Sequence, residues 1–117
     1  MIRWVDVKEQ IQKDPENGVV YLMDCVDDFR ARKDLAALST PFSGKADRWS
    51  ALLASTATRL CHEMGLTTPD WLEQVPACEI PWFVSGAENL KAISLAESPL
   101  EFRLRKVFVL ENFLNRI

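Results

Sequence analysis

Glycine is scarce in this chain, with four residues among 117. All-β folds that are rich in hairpins need glycine at their tight turns, so this scarcity disfavours them. Long apolar runs are also missing, and none approaches the roughly 18 residues that a membrane-spanning helix needs. The N-terminal residues include no continuous apolar segment of the secretory type. We therefore predict a cytoplasmic protein that does not enter a membrane.

Cysteine is sparse and irregularly placed. Cys25, Cys61 and Cys78 are odd in number and widely spaced, unlike the cysteines of a disulfide-stabilised secreted domain. We expect reduced, buried thiols that pack in the core. Cys25 stands among acidic residues and Cys78 stands beside Glu79, so neither is expected to form the stabilised thiolate that nucleophilic catalysis requires.

The common motifs of nucleotide binding and acyl transfer are absent, namely G-x-x-x-x-G-K-[ST], G-x-G-x-x-G, G-x-S-x-G and H-E-x-x-H. Histidine occurs once, as His62, without the local cysteine or histidine spacing of a zinc site. We therefore predict no catalytic residues, no bound metal and no cofactor. A surface histidine on a helix, beside a buried thiol, is the simplest interpretation of His62.

The overall composition is that of an ordinary globular domain. Hydrophobic residues make up 48% of the chain and charged residues 26%. Four tryptophans and six phenylalanines supply large apolar surfaces for a core. Because the length fits one folding unit, we predict a single domain over residues 1–117.

Apolar residues recur at helical spacing through most of the chain. A first helix is predicted over 3–13, and it ends before Pro15 because the residue that precedes proline disfavours the α region. Asp14 is the predicted cap of a second helix, which runs to about Arg32. The clearest helix is predicted from Asp47 to Met64, and we expect it at the centre of the core.

The later part of the chain predicts shorter helices. Ser98, Pro99 and Glu101 have the spacing of a capping box at the start of a C-terminal helix. The β-favouring residues Val107–Val109 give an alternative, in which a short extended step separates the capped helix from a final helix that begins at Glu111. We therefore predict a mainly α fold, a compact bundle of about five to six helices with a short β element near 107–109 as an option.

Charge is distributed unevenly. Residues 51–98 carry two basic and six acidic side chains, whereas residues 99–117 carry four basic and two acidic ones. Arg103, Arg105 and Lys106 are therefore candidate contacts to a nucleic-acid backbone. Ion pairs with the acidic middle of the chain, or compensation of a helix dipole, are the structural alternatives.

Two further groups of residues are candidates for function. Trp71, Trp82 and Phe83 form an aromatic section that is either a lid on the core or a partner-binding patch, since tryptophan is favoured at interface hot spots. Asp24 and Asp28 share a helix face, as a pair of carboxylates in a magnesium-dependent enzyme would. A solvated acidic face is the simpler interpretation of the aspartates.

The last 70 residues resemble a pattern found in small uncharacterised bacterial proteins. The matching pieces are TPDW at 68–71, IPWF at 80–83, LKA at 90–92, SPLEFRLR at 98–105 and VFV at 107–109. The resemblance implies a link to toxin–antitoxin or other mobile-element loci, where some such proteins carry a helix-turn-helix domain. This chain has no obvious DNA-reading domain, so the resemblance favours a role in protein interaction.

Three functional hypotheses follow from these patterns. The first is a non-enzymatic protein-interaction module of a bacterial mobile-element or antitoxin-like system, whose partner is another protein or a second copy of the chain. The second is a nucleic-acid-associated regulator that uses the basic C-terminal segment. The third is a small metal-dependent enzyme.

Overall fold

Five α-helices and two short strands make up the regular structure of residues 1–114, the part of the chain that the computed structural model describes. The helices are α1 (Trp4–Lys13), α2 (Gly18–Arg32), α3 (Arg48–Met64), α4 (Lys91–Glu97) and α5 (Leu100–Arg103). The strands β1 (Trp82–Phe83) and β2 (Val107–Phe108) pair in parallel. Short 3₁₀ turns lie at Pro15–Asn17, Leu35–Leu38, Asp70–Gln74 and Glu88–Leu90. The prediction of a mainly α fold with a short β element is confirmed.

Helix α3 is the centre of the core, as its sequence predicts. Its buried face is continuous with those of α1 and α2, and Trp4 of α1 meets Phe29 of α2 edge to face, with ring centroids 5.8 Å apart. The start of α3 is fixed by a capping box, in which Asp47 accepts from the Ser50 amide at 3.0 Å. Gly65 ends the helix with a φ of 67°, a left-handed conformation that glycine adopts without strain.

The start of the second helix differs from the prediction. A 3₁₀ turn precedes α2, and the Asp14 carboxylate caps no backbone amide. It accepts instead from the side chains of Asn17 and Tyr21, and these two hydrogen bonds hold the pKa of Asp14 below its usual value. Gly18 is required at the helix start, because a Cβ there would lie 2.4 Å from the ring of Trp49.

The C-terminal region is not one long helix. Helix α5 has four residues, and the chain then turns into β2, so the helix-then-extended alternative is the correct one. The predicted capping box is wrong, because Ser98 and Glu101 both bond elsewhere. Residues 111–114 form turns, and the remainder of the final helix predicted from Glu111 lies outside the described residues.

Ser98 links two segments of the C-terminal region, helix α4 and the chain after β2. Its buried Oγ accepts from the Val109 amide at 2.7 Å. The same hydroxyl lies 2.7 Å from the Ser94 carbonyl oxygen and 2.9 Å from that of Val109, and it donates to one of them at a time. The side chain therefore ties the end of α4 to the residue that follows β2.

Replacing Ser98 with alanine is expected to lower the free energy of unfolding by about 1–3 kcal/mol, because the buried Val109 amide loses its partner. Urea denaturation measures this change. The matched control is Ser85→Ala, because Ser85 is exposed and lies in the same half of the chain. Equal stability of the two variants would show that the Ser98 hydrogen bonds contribute nothing.

No helix in residues 1–114 is both long enough and apolar enough to cross a bilayer.

Candidate binding cleft

A cavity lies between the C-terminal half of α3, helix α5 and residues 73–77; we call it the α3–α5 cleft. Its volume is about 640 Å³. Small-molecule sites commonly occupy about 300–1,000 Å³. The side chains that line it include Thr58, His62, Leu100, Glu101, Leu104 and Arg105.

A histidine–carboxylate pair forms one wall of the cleft. Nδ1 of His62 lies 2.6 Å from Oε2 of Glu101, so the imidazole N–H donates to the carboxylate. Arg59 approaches the other carboxylate oxygen at 3.8 Å. Helix α5 places Glu101 here because the neighbouring Phe102 is fully buried and fixes the rotation of the helix.

The Glu101 carboxylate is stabilised in its charged form. Burial raises the pKa of Glu101, but the hydrogen bond from His62, a backbone hydrogen bond and the charge of Arg59 together outweigh that effect. The net pKa of Glu101 is therefore lower than that of an ordinary glutamate. Arg59 is the cation that pairs with this carboxylate, and the neutral imidazole of His62 contributes a hydrogen bond.

The hydrogen-bonding groups around His62 determine what chemistry this wall of the cleft can support. With Nδ1 bonded to Glu101, Nε2 is the nitrogen that accepts in the neutral ring. The hydroxyl groups among the lining residues belong to Thr58 and Thr68, and Thr58 donates to the Ala54 carbonyl of its own helix at 2.8 Å. Cys61 points into the core, where burial raises the pKa of its thiol. Among the lining residues, no hydroxyl or thiol group is hydrogen-bonded to His62.

A buried arginine forms the opposite wall. Arg105 is 9% exposed, and its Nε donates to the Val75 carbonyl at 3.3 Å. Its Nη2 donates to the Leu72 carbonyl, so the side chain joins the 3₁₀ turn Asp70–Gln74 to the segment that enters β2. Burial lowers the pKa of the Arg105 guanidinium, and the charge of Glu73 acts in the opposite direction.

Two leucines stand at the rim of the cleft. Leu100 and Leu104 are 65% and 69% exposed, and both line the cavity. They are four residues apart, so they lie on the same side of α5 and of the turn that follows it. The buried side of α5 carries Glu101 and Phe102 instead.

The three basic residues proposed for nucleic-acid contact are not equivalent. Arg103 donates to the Ser98 carbonyl at 2.6 Å and to the Ala96 carbonyl at 2.7 Å. Arg105 is buried as described, whereas Lys106 is exposed. Two of the three cations therefore bond to backbone carbonyls. Nucleic-acid binding by this trio stays a prediction.

The three aromatic residues proposed for partner binding are half-buried, and each contacts different neighbours. Trp71 donates to the Leu38 carbonyl at 2.8 Å. The rings of Trp82 and Trp49 pack edge to face, with centroids 5.0 Å apart. The guanidinium carbon of Arg48 lies 4.6 Å from the centroid of the Trp82 ring.

The third aromatic residue, Phe83, has its own neighbours. It stacks on Phe108 at 5.1 Å, across the pairing of β1 with β2. The ammonium group of Lys91 lies 5.4 Å from its ring centroid. Each of the three aromatic rings therefore has structural contacts, and a role of Trp71, Trp82 and Phe83 in partner binding stays a prediction.

The acidic pair on α2, Asp24 and Asp28, belongs to no metal-binding cluster among residues 1–114. Asp28 accepts from the Ile2 amide at 2.9 Å and from Arg32 at 3.0 Å, and these bonds lower its pKa. Within residues 1–114, no group of three or more histidine, cysteine or acidic side chains is arranged to hold a metal ion.

Comparison with protein-family models, curated proteins and solved structures found no match to this chain.

The α3–α5 cleft was not predicted from the sequence. His62 is an exposed residue of α3 beside the buried Cys61, as predicted, but nothing in the sequence indicates its hydrogen bond to Glu101. The spacing of Leu100 and Leu104 is the one signal that was available, and that spacing usually indicates a buried stripe.

Proposed function

We propose that this protein is a non-enzymatic protein-interaction module and that the α3–α5 cleft binds a short segment of its partner. The observation that carries the proposal is the exposure of Leu100 and Leu104 at the rim of the α3–α5 cleft. The cleft combines apolar and polar lining groups, as ligand-binding sites do.

Exposing the two leucine side chains to water is unfavourable in free energy. Exposed apolar side chains are common singly, but a pair beside a cavity is typical of an interaction site. Covering apolar surface contributes about 25 cal/mol per Å², so a partner side chain that packs between the leucines gains affinity from both. The proposal therefore makes the rim, and not the half-buried aromatic residues, the principal contact surface.

The biological setting in this proposal comes from the sequence alone. The resemblance of the last 70 residues suggests a bacterial antitoxin-like or mobile-element system. A cytoplasmic location is proposed because Cys25, Cys61 and Cys78 are free thiols.

Replacing Leu104 with aspartate is expected to weaken peptide binding by about tenfold or more, because a charge at the rim must be desolvated when the cleft is covered. Peptides are first selected from a random display library on the wild-type protein. Their affinities for the wild type and the variant are then compared by fluorescence anisotropy.

The matched control is Ile80→Asp. Ile80 is 79% exposed and does not line the cleft, so this variant adds the same charge to an equally exposed apolar position. It should bind the selected peptides as the wild type does. If no peptide is selected, or if Leu104→Asp binds as tightly as Ile80→Asp, the cleft is not the interaction site.

A further inference from the structure

We propose that the α3–α5 cleft recognises the free C-terminal carboxylate of a peptide whose last residue is apolar, with Arg105 donating to the carboxylate. This inference rests on the proposed function, since it names the chemistry of the segment that the same cleft would bind. The two carbonyl bonds of Arg105 fix its side chain in the fold, and the proposal assigns a ligand to its positive charge.

The charged residues that line the cleft differ in whether they have an ion-pair partner. Glu101 lies 3.8 Å from Arg59 and accepts a hydrogen bond from His62. Arg105 bonds to carbonyl oxygens, which orient the guanidinium but do not neutralise it. Among residues 1–114, no carboxylate oxygen lies within the 4 Å of an ion pair with Arg105. Arg105 is therefore the buried charged residue of the cleft lining that has no ion-pair partner among residues 1–114.

The donors of Arg105 also suit an incoming carboxylate. A guanidinium has five N–H donors, and the two carbonyl contacts involve Nε and Nη2 only. Nη1 has no hydrogen-bond partner among residues 1–114 and is not fully buried, so it is available to a ligand of the cleft that Arg105 lines. Arginine pairs with carboxylates through charged hydrogen bonds that are about twice as strong as neutral ones.

The apolar rim of the cleft favours a C-terminal carboxylate over the carboxylate of an acidic side chain. A C-terminal carboxylate is attached to the same Cα as the last side chain, so a cation and an apolar surface that share one cleft can bind both together. Leu100 and Leu104 provide that apolar surface, with Val75 and Pro76 on the other side of the cavity. An acidic side chain within a peptide carries its carboxylate on a different Cα from any apolar side chain.

Glu73 is the remaining charged group that lines the cleft. It is exposed to solvent, and its charge acts on Arg105 from beyond ion-pair distance. A bound carboxylate would be repelled by Glu73, whereas a bound cation would be attracted by it. The variant Glu73→Gln therefore separates a carboxylate site from a cation site.

The main test uses the wild-type protein and needs no substitution at Arg105. One mixture contains random hexapeptides that end in Leu, Ile, Val or Phe, half as free acids and half as C-terminal amides, with acetylated N-termini. Affinity selection followed by mass spectrometry measures the ratio of retained acid to retained amide. We expect the acids to be enriched about tenfold or more, as for loss of a charged hydrogen bond.

Two variants complete the design. Glu73→Gln should increase retention of the acids a few-fold, and weaker retention would overturn the inference in favour of a cation site. Arg105→Lys keeps the charge but loses the planar fork, so it should reduce the acid-to-amide ratio. Its fold is checked by circular dichroism, and the wild-type acid-to-amide ratio decides the matter if this variant does not fold.

The outcomes distinguish this inference from the proposed function. Equal retention of acids and amides, both lost in Leu104→Asp, would overturn the carboxylate inference and leave the interaction module in place. Retention of neither class, together with a display library that yields no binder, would overturn both.

Discussion

Replacing Phe102 with alanine is expected to lower the free energy of unfolding by about 3–5 kcal/mol. The ring is fully buried and meets Phe113 edge to face, with centroids 6.3 Å apart. Removing it leaves a cavity beneath α5, and a helix of four residues has little stability without such packing. The unfolding free energy is measured by urea denaturation with fluorescence detection.

The Phe102→Ala variant should also weaken peptide binding to the α3–α5 cleft, because Phe102 fixes the rotation of α5 and thereby the position of Glu101. Leu100→Ala is the matched control, since Leu100 lies on the same helix and is mostly exposed. Its stability should stay within about 0.5 kcal/mol of the wild type, as for most surface substitutions. A Phe102→Ala protein as stable as Leu100→Ala would contradict the anchoring of α5 described here.

Replacing Lys8 with alanine is expected to lower the free energy of unfolding by about 2–4 kcal/mol, because hydrogen bonds to a charged group contribute about 1.5–3 kcal/mol and the aliphatic stem adds packing. Lys8 is buried on α1, and its Nζ donates to the Ser43 carbonyl at 2.8 Å and to the Lys45 carbonyl at 3.0 Å. The side chain thus holds the loop of residues 39–46 against the first helix.

Limited trypsin digestion gives a second measurement, because Lys45 is exposed within the loop that Lys8 holds. Cleavage after Lys45 should accelerate in Lys8→Ala under native conditions. Lys13→Ala is the control, since Lys13 lies exposed at the end of the same helix. Lys8→Met keeps most of the stem, so it should be more stable than Lys8→Ala. Unchanged cleavage in Lys8→Ala would mean that other contacts hold the loop.

The sequence predicts best where the signals are local. The bounds of α3 follow from Asp47 and Gly65, because a capping box and a left-handed glycine act within a few residues of the helix ends. The end of α1 follows from Pro15 in the same way.

Prediction from the sequence fails where a residue that fits a local motif bonds instead to a residue distant in the chain. Ser98 has the sequence context of a helix cap, but its hydroxyl bonds to Val109, eleven residues later. Val19 fits the apolar stripe of α2 and is nevertheless 39% exposed, because the packing of α2 on its neighbours does not cover that position. A pattern within one helix does not specify how much of its face another element covers.

The amino-acid sequence by itself determined that this chain is mainly helical and that α3 is its central element, since helical periodicity and capping depend on near neighbours. The tertiary structure alone decided the cleft. It brings Glu101 to His62 across 39 residues, buries Arg105 against the turn at 70–74, and leaves Leu100 and Leu104 exposed at the rim. These contacts depend on how α5 docks on α3, and the burial of Phe102 fixes that arrangement in the folded chain.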